Sequence, residues 1–241
     1  MTAVDVRRAA ERFHTHLDWL DSWHSFSFAG HHEPANTHHG LLLVLNDDVI
    51  APGGGFGTHP HRDMEIVTWV LDGKLEHRDS TGTVGTITPG LAQRMSAGSG
   101  IRHSEMNASR TEPVHLLQMW VPPDTAGIDP GYEQHDLNAA LAGGGLVALA
   151  SGREADAAVH IHQRDATLWV GRLARGEAVA VPDAPFMHVF VARGSIELEG
   201  AGTLRAGDAA RLTAAGRRRL DAGVEGAETV VWEMHGTLEA A

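Results

Sequence analysis

Gly53-Gly-Gly-Phe-Gly-Thr-His59-Pro-His61-Arg-Asp-Met-Glu65 sets two imidazoles two residues apart, and His103-Ser-Glu105 sets an imidazole and a carboxylate at the same spacing. In an extended strand, residues i and i+2 share a face, so each pair presents its donors together. Brought together, His59, His61, His103 and Glu105 supply three nitrogens and one oxygen, a donor set suited to Fe, Mn, Co, Ni, Cu or Zn. The chain has no cysteine, which excludes thiolate zinc sites, iron–sulfur clusters, disulfides and a cysteine nucleophile. Spacing alone is weak evidence here. With 17 histidines in 241 residues, about 1.2 His-x-His pairs arise by chance, and His14/His16, His59/His61 and His160/His162 all occur. The glycine-rich approach, and the strand, Gly73 hairpin and Pro-Gly turn before His103, set His59/His61 apart. His14/His16 lies beside Trp19 and Trp23, and His160/His162 has no glycine approach or partner carboxylate strand. His31-His32 and His38-His39 flank Pro34, so all of these read as surface or edge residues.

The elements that must position the four donors are strands. Short runs rich in Val, Ile, Leu and Thr are cut by Gly, Pro or Asp: Leu41–Leu45, Glu65–Leu71, Val84–Ile87, Leu91–Met95 and Val114–Val121 in the first half. Leu168–Arg172, His188–Ala192, Ser195–Leu198, Ala209–Leu212 and Thr229–Met234 continue the rhythm in the second. Val70-Leu-Asp-Gly-Lys-Leu-Glu-His followed by Ile87-Thr-Pro-Gly has a counterpart in Val191-Ala-Arg-Gly-Ser-Ile-Glu-Leu followed by Leu204-Arg-Ala-Gly. This predicts two copies of one β-domain, over 1–136 and 137–241, the second opening with an Ala-rich helical turn at Leu137 stopped by Gly143-Gly-Gly. The formal net charge of -12 argues against a phosphate-backbone binder, and Arg217-Arg218-Arg219 reads as a solvated turn. No apolar window reaches membrane-spanning length and no signal segment is evident, so a cytoplasmic protein without membrane contact is expected. Neither a nucleophile elbow nor a phosphate loop is present; the glycines at 53–57 precede a histidine strand where a nucleotide site would need a helix.

The order of glycine approach, His-x-His, glutamate, hairpin and second histidine strand resembles the cupin motif pair, and more closely the pirin family. The phrases that carry the likeness are Ser25-Phe-Ser-Phe, Asn46-Asp-Asp-Val-Ile-Ala-Pro-Gly, Gly54 to Ile66, His77-Arg-Asp-Ser, Gln93 to Glu105, and Leu117-Gln-Met-Trp-Val. The likeness is dense over residues 20–135 and thinner beyond 160. It implies an all-β bicupin, two β-sandwich or jelly-roll barrels joined by a short linker, with one divalent transition metal, usually iron, in the N-terminal barrel. Carried over by position, the ligands are His59, His61, His103 and Glu105. Glu65 stands at the general cupin glutamate position, yet the pirin carboxylate is the later Glu105, so Glu65 is expected behind the ligands, orienting an imidazole or a metal-bound water. His188 stands alone in the second half, which implies a metal-free C-terminal cupin.

The resemblance implies a quercetin 2,3-dioxygenase type of reaction on a small aromatic enol with dioxygen, Glu105 accepting the enol proton. Phe56, Met106 and Trp120 are expected as apolar walls, with Arg62 and Gln118 as polar tuners. The alternative is a metal-dependent binding or regulatory protein read by a protein partner, without turnover.

Overall fold

The computed structural model describes residues 3–238. A seven-stranded sheet runs in the order Gly131–Asp136, Leu91–Ser96, Glu65–Asp72, Val114–Val121, Val44–Ile50, Leu20–His24, Phe13–Leu17. Opposite it stands a four-stranded sheet ordered Gly55–His61, Ile101–Asn107, Leu75–Asp79, Val84–Ile87. The second half is a single nine-stranded sheet, its two long strands Phe186–Leu198 and Arg218–Met234 paired antiparallel along their length. The first strand of the chain, Ala3–Arg7, pairs antiparallel with Ala209–Thr213 and so joins the C-terminal sheet. The molecule is all-β and bicupin, as expected from the sequence.

Alternation along the central strands explains how the two barrels meet. Val67, Trp69, Leu117 and Met119 point to one face of the seven-stranded sheet and pack with Leu168, Trp232 and other C-terminal residues in one shared core. Trp69 and Trp232 are wholly buried in it, each burial contributing roughly 4–6 kcal/mol of transfer free energy. Residues of the opposite parity face the N-terminal barrel's own interior. There Leu20, Ile50, Val70, Leu75, Ile87 and Leu116 close the bottom, and Ile66, Met95 and Ile101 pack near the histidine strands.

The repeated phrase has a conformational basis. Gly73 and Gly194 both take positive φ, +81° and +70°, and a Cβ at either would strike backbone of the neighbouring strand. Three local expectations change. His188–Ala192 and Ser195–Leu198 are one strand, because bulges around Gly194 absorb the break that the sequence suggests is a turn. Leu41 and Leu42 belong to a turn after Gly40, and the strand starts at Val44. Arg218 and Arg219 open the long last strand, Arg219 pairing with exposed Asp221.

Candidate metal centre

Gly55 makes the site geometrically feasible. A Cβ there would lie 2.6 Å from the Cα of Met106, and it would also strike the Glu105 carbonyl. Only glycine lets the Gly55–His61 strand approach Ile101–Asn107 this closely. The antiparallel register then sets His59 directly across from His103, with a bulge between His103 and Glu105. His59 and His61 share a face by alternation. The three rings converge, with centroids 4.8 Å apart for His59/His61, 4.4 Å for His59/His103 and 4.9 Å for His61/His103. One nitrogen from each lies within 4.8 Å of the others.

The tautomers suit a cation. His59 Nδ1–H donates to the Gly57 carbonyl at 2.7 Å, leaving Nε2 with a free lone pair. His103 Nε2 is buried and without a hydrogen-bond partner among the described residues. Burial, reinforced by the neighbouring imidazoles, lowers His103 to about 2 and His61 to about 4. Neutral rings with lone pairs turned toward one another fit a metal ion, which needs deprotonated ligands.

His77 and Asp79, which sequence reasoning left without a role, stand behind His103. Both face it from the adjacent strand Leu75–Asp79, where Asp79 is the cross-strand partner of His103 and His77 that of Glu105. His77 Nε2–H donates to Asp79 Oδ2 at 3.0 Å. Its Nδ1 then accepts from His103 Nδ1–H at 3.5 Å, which fixes His103 with Nε2 turned inward. Burial works against ionisation of Asp79, yet hydrogen bonds from Thr81, His77 and Thr83 hold its carboxyl below the usual range. The sequence signals for this pair are the His-x-Asp spacing and its place in the phrase His77-Arg-Asp-Ser. Replacing His77 by Phe or Asp79 by Asn is expected to weaken metal affinity about 10–100-fold with the three ligand imidazoles intact; chelator competition measures it, and unchanged affinity would remove the pair from the site.

Glu105 is held apart from the trio. Its carboxylate clusters with His77 and His103, and does not join all three converging imidazoles at the same spacing among the described residues. Gln118 Nε2 donates to Oε2 at 2.7 Å and Thr68 Oγ1 to Oε1 at 3.4 Å. Burial pushes Glu105 up to about 7 against both hydrogen bonds. Gln118 is itself oriented by Trp120 Nε1–H at 3.2 Å. It sits in a buried polar row running strand to strand through His24, Asn46, Gln118, Thr68 and Gln93, each the register partner of the next.

The other expected residues divide. Trp120 packs edge-on against His61 at 4.9 Å, and Phe56 lies 6.4 Å from the His59 ring. Arg62 is exposed and, with His61, Ser80 and Arg102, lines a depression of about 370 Å³. Met106 falls on the alternate face from Glu105 and packs over Gly55, outside the imidazole cluster. Glu65 accepts from Ser96 Oγ at 2.8 Å and from the His162 amide at 3.1 Å, tying the N-terminal sheet to the second half. It makes no hydrogen bond to an imidazole ring among the described residues, and its buried Oε1 has no hydrogen-bond partner among them. A larger depression of about 630 Å³ surrounds Arg172 and Gly226 and contains no converging imidazoles.

The same buried groups set an acid limit. Burial holds His39 and His61 to about 4, His103 to about 2 and His188 well below its ordinary value, while it raises Asp48 and Glu105 to about 7. Below pH 6.5 the unfolded chain protonates these four imidazoles, which the folded protein keeps neutral, whereas the folded protein holds the two carboxyl protons; burial of His24 acts in the same direction as the four. Near pH 5 unfolding takes up about two net protons, so the metal-free protein loses on the order of 2–3 kcal/mol of stability per pH unit as pH falls from 6 to 4. Above about 7 the sign reverses, because the folded carboxyls must ionise. Denaturant unfolding across pH should show a maximum near 7; a flat profile would contradict these buried charge states.

Residues 4–121 match the family model described as Pirin, and residues 148–234 match that of the quercetinase C-terminal cupin domain. A Mycobacterium tuberculosis protein with a provisional quercetin 2,3-dioxygenase name is 57% identical over 240 residues, covering 99% of this chain and 98% of that protein. The Escherichia coli protein named quercetin 2,3-dioxygenase is 44% identical over 199 residues, covering 82% of this chain and 84% of that protein. Among solved structures, the Escherichia coli bacterial pirin in complex with nickel(II) matches with a TM-score of 0.90 at 35% identity, over 98% of this chain and 100% of that one.

Proposed function

The chain belongs to the pirin family, and from that premise we propose that it is a mononuclear metal-dependent dioxygenase acting on quercetin-like flavonols. One observation carries the reading: His59, His61 and His103 bring one ring nitrogen each within 4.8 Å of the others, beside a buried carboxylate whose proton affinity burial has raised. His59, His61 and His103 would hold the metal, with Glu105 within reach as a further ligand or as a base. Iron is the ion the family likeness favours, and Mn, Co, Ni, Cu or Zn suit the same donors. When bound, the metal supplies Lewis acidity toward an enol oxygen and sites for substrate and dioxygen.

The remaining work falls to this chain's side chains. Glu105 takes the enol proton, and its raised proton affinity suits that transfer near neutral pH. Gln118 and Thr68 keep its carboxylate in one orientation. Trp120 offers an aromatic edge beside His61, and the depression lined by His61, Arg62 and Arg102 is of a size that takes a small aromatic molecule.

The test loads the protein with Fe, Mn, Co, Ni or Cu in turn and incubates it with quercetin in air. Loss of the flavonol band, oxygen uptake and carbon monoxide release are expected with at least one metal. Metal-loaded protein that turns over quercetin with none of them would overturn the dioxygenase reading in favour of a metal-dependent binding protein.

A further inference from the structure

Arg211 is a buried cation without a carboxylate partner among the described residues. It lies directly across from His188 in the C-terminal sheet, and both side chains point out of the C-terminal barrel toward the N-terminal half. Arg211 stacks over Phe26 at 4.3 Å. Its Nη2 donates to two neutral acceptors, the Ser25 carbonyl at 2.9 Å and Asn36 Oδ1 at 2.7 Å. A guanidinium taken from water this completely is ordinarily matched by an anion. The three other arginines around the same cavity are already matched, Arg7 by Asp5, Arg8 by Asp208 and Arg12 by Asp47. Glu33 also lines the cavity but is exposed, and it makes no ion pair with Arg211.

Residues lining this interdomain cavity carry four buried polar atoms with no hydrogen-bond partner among the described residues: Arg211 Nε, both ring nitrogens of His188, and Ser25 Oγ. The cavity has a volume of about 40 Å³, room for a small ion or a few waters and too little for a sugar acid or a nucleotide. We propose that Arg211, His188 and Ser25 form a binding site for a small monovalent anion of halide or formate size, separate from the imidazole centre. Arg211 Nε–H, one His188 N–H and the Ser25 hydroxyl are its donors. Because Ser25 and Asn36 come from one half of the chain and His188 and Arg211 from the other, a bound anion clamps the two barrels together.

The experiment has two arms. Crystals of the full chain soaked in sodium bromide are expected to show an anomalous peak within about 3.5 Å of Arg211 Nε. Thermal unfolding in sodium formate, against sodium gluconate at equal ionic strength, is expected to raise Tm by roughly 5 °C or more at a hundredfold excess over Kd. Arg211→Met is expected to abolish the formate-specific shift, and Ser25→Ala to reduce it in a protein that keeps the buried arginine. No bromide peak in wild-type crystals, with only water refined between Arg211 and His188, would overturn the proposal. So would equal Tm in formate and gluconate, or a formate shift that survives Arg211→Met.

Discussion

In the His103→Ala protein, metal binding weakens by more than about 100-fold, beyond the range that loss of an outer hydrogen-bonding partner costs. His103 is the one imidazole of the three on the facing strand, and its ring lies 4.4 Å and 4.9 Å from the other two. Without it, His59 and His61 remain as neighbours on a single strand and cannot enclose an ion. Purified His103→Ala protein is therefore expected to carry far less than one metal per chain, by elemental analysis and by chelator competition. The metal-free variant supplies a second readout. Removing an imidazole that the fold keeps neutral takes one proton out of the acid-driven uptake, so the acid limb of the stability profile flattens by on the order of 1 kcal/mol per pH unit. Full metal content in the variant would sink the site assignment. A lowered metal content with an unchanged acid limb would mean that His103 is not buried neutral.

What could be read from the sequence follows from how local each relationship is. His59 and His61 share a strand, and their common face comes from alternation alone. The glycine before them was readable as a sharp approach, although its cause, contact with backbone at Glu105 and Met106, was not. Gln118, expected as a polar tuner, shares the inward parity of its strand and meets Glu105. Met106 fails the same parity rule, since it adjoins Glu105 and must face the other way. His77 was quoted in a family phrase without a role because its partner, His103, is set by strand register across 26 residues. The row from His24 to Gln93 is beyond sequence reading for the same reason: its members belong to five strands whose spatial order differs from their chain order. Glu65 shows the limit of motif analogy. It is buried at the position the cupin pattern marks, with Ser96 and the His162 amide on Oε2, and its free Oε1 meets no imidazole ring among the described residues.

Replacing Glu105 by Gln is expected to lower flavonol turnover by at least about 100-fold, the lower end of what a positioned base contributes, while the three imidazoles retain the metal. The substitution nearly preserves shape. The carbonyl of the new amide can still accept from Thr68 or Gln118, so the polar row persists and the barrel interior is not opened. What disappears is the proton acceptor. In the wild-type chain burial keeps that acceptor close to half-protonated near neutral pH, with a value of about 7, so kcat/KM should rise with pH on the acid side as the carboxylate ionises. The variant should lack that limb. It should also bind quercetin without the absorbance change that marks flavonol deprotonation, a readout independent of turnover. Metal content is measured alongside to separate loss of the base from loss of the ion. Turnover within tenfold of wild type at equal metal content, with the acid limb still present, would assign the proton transfer to another group; Asp48, also buried and also raised to about 7, would be the next residue to replace.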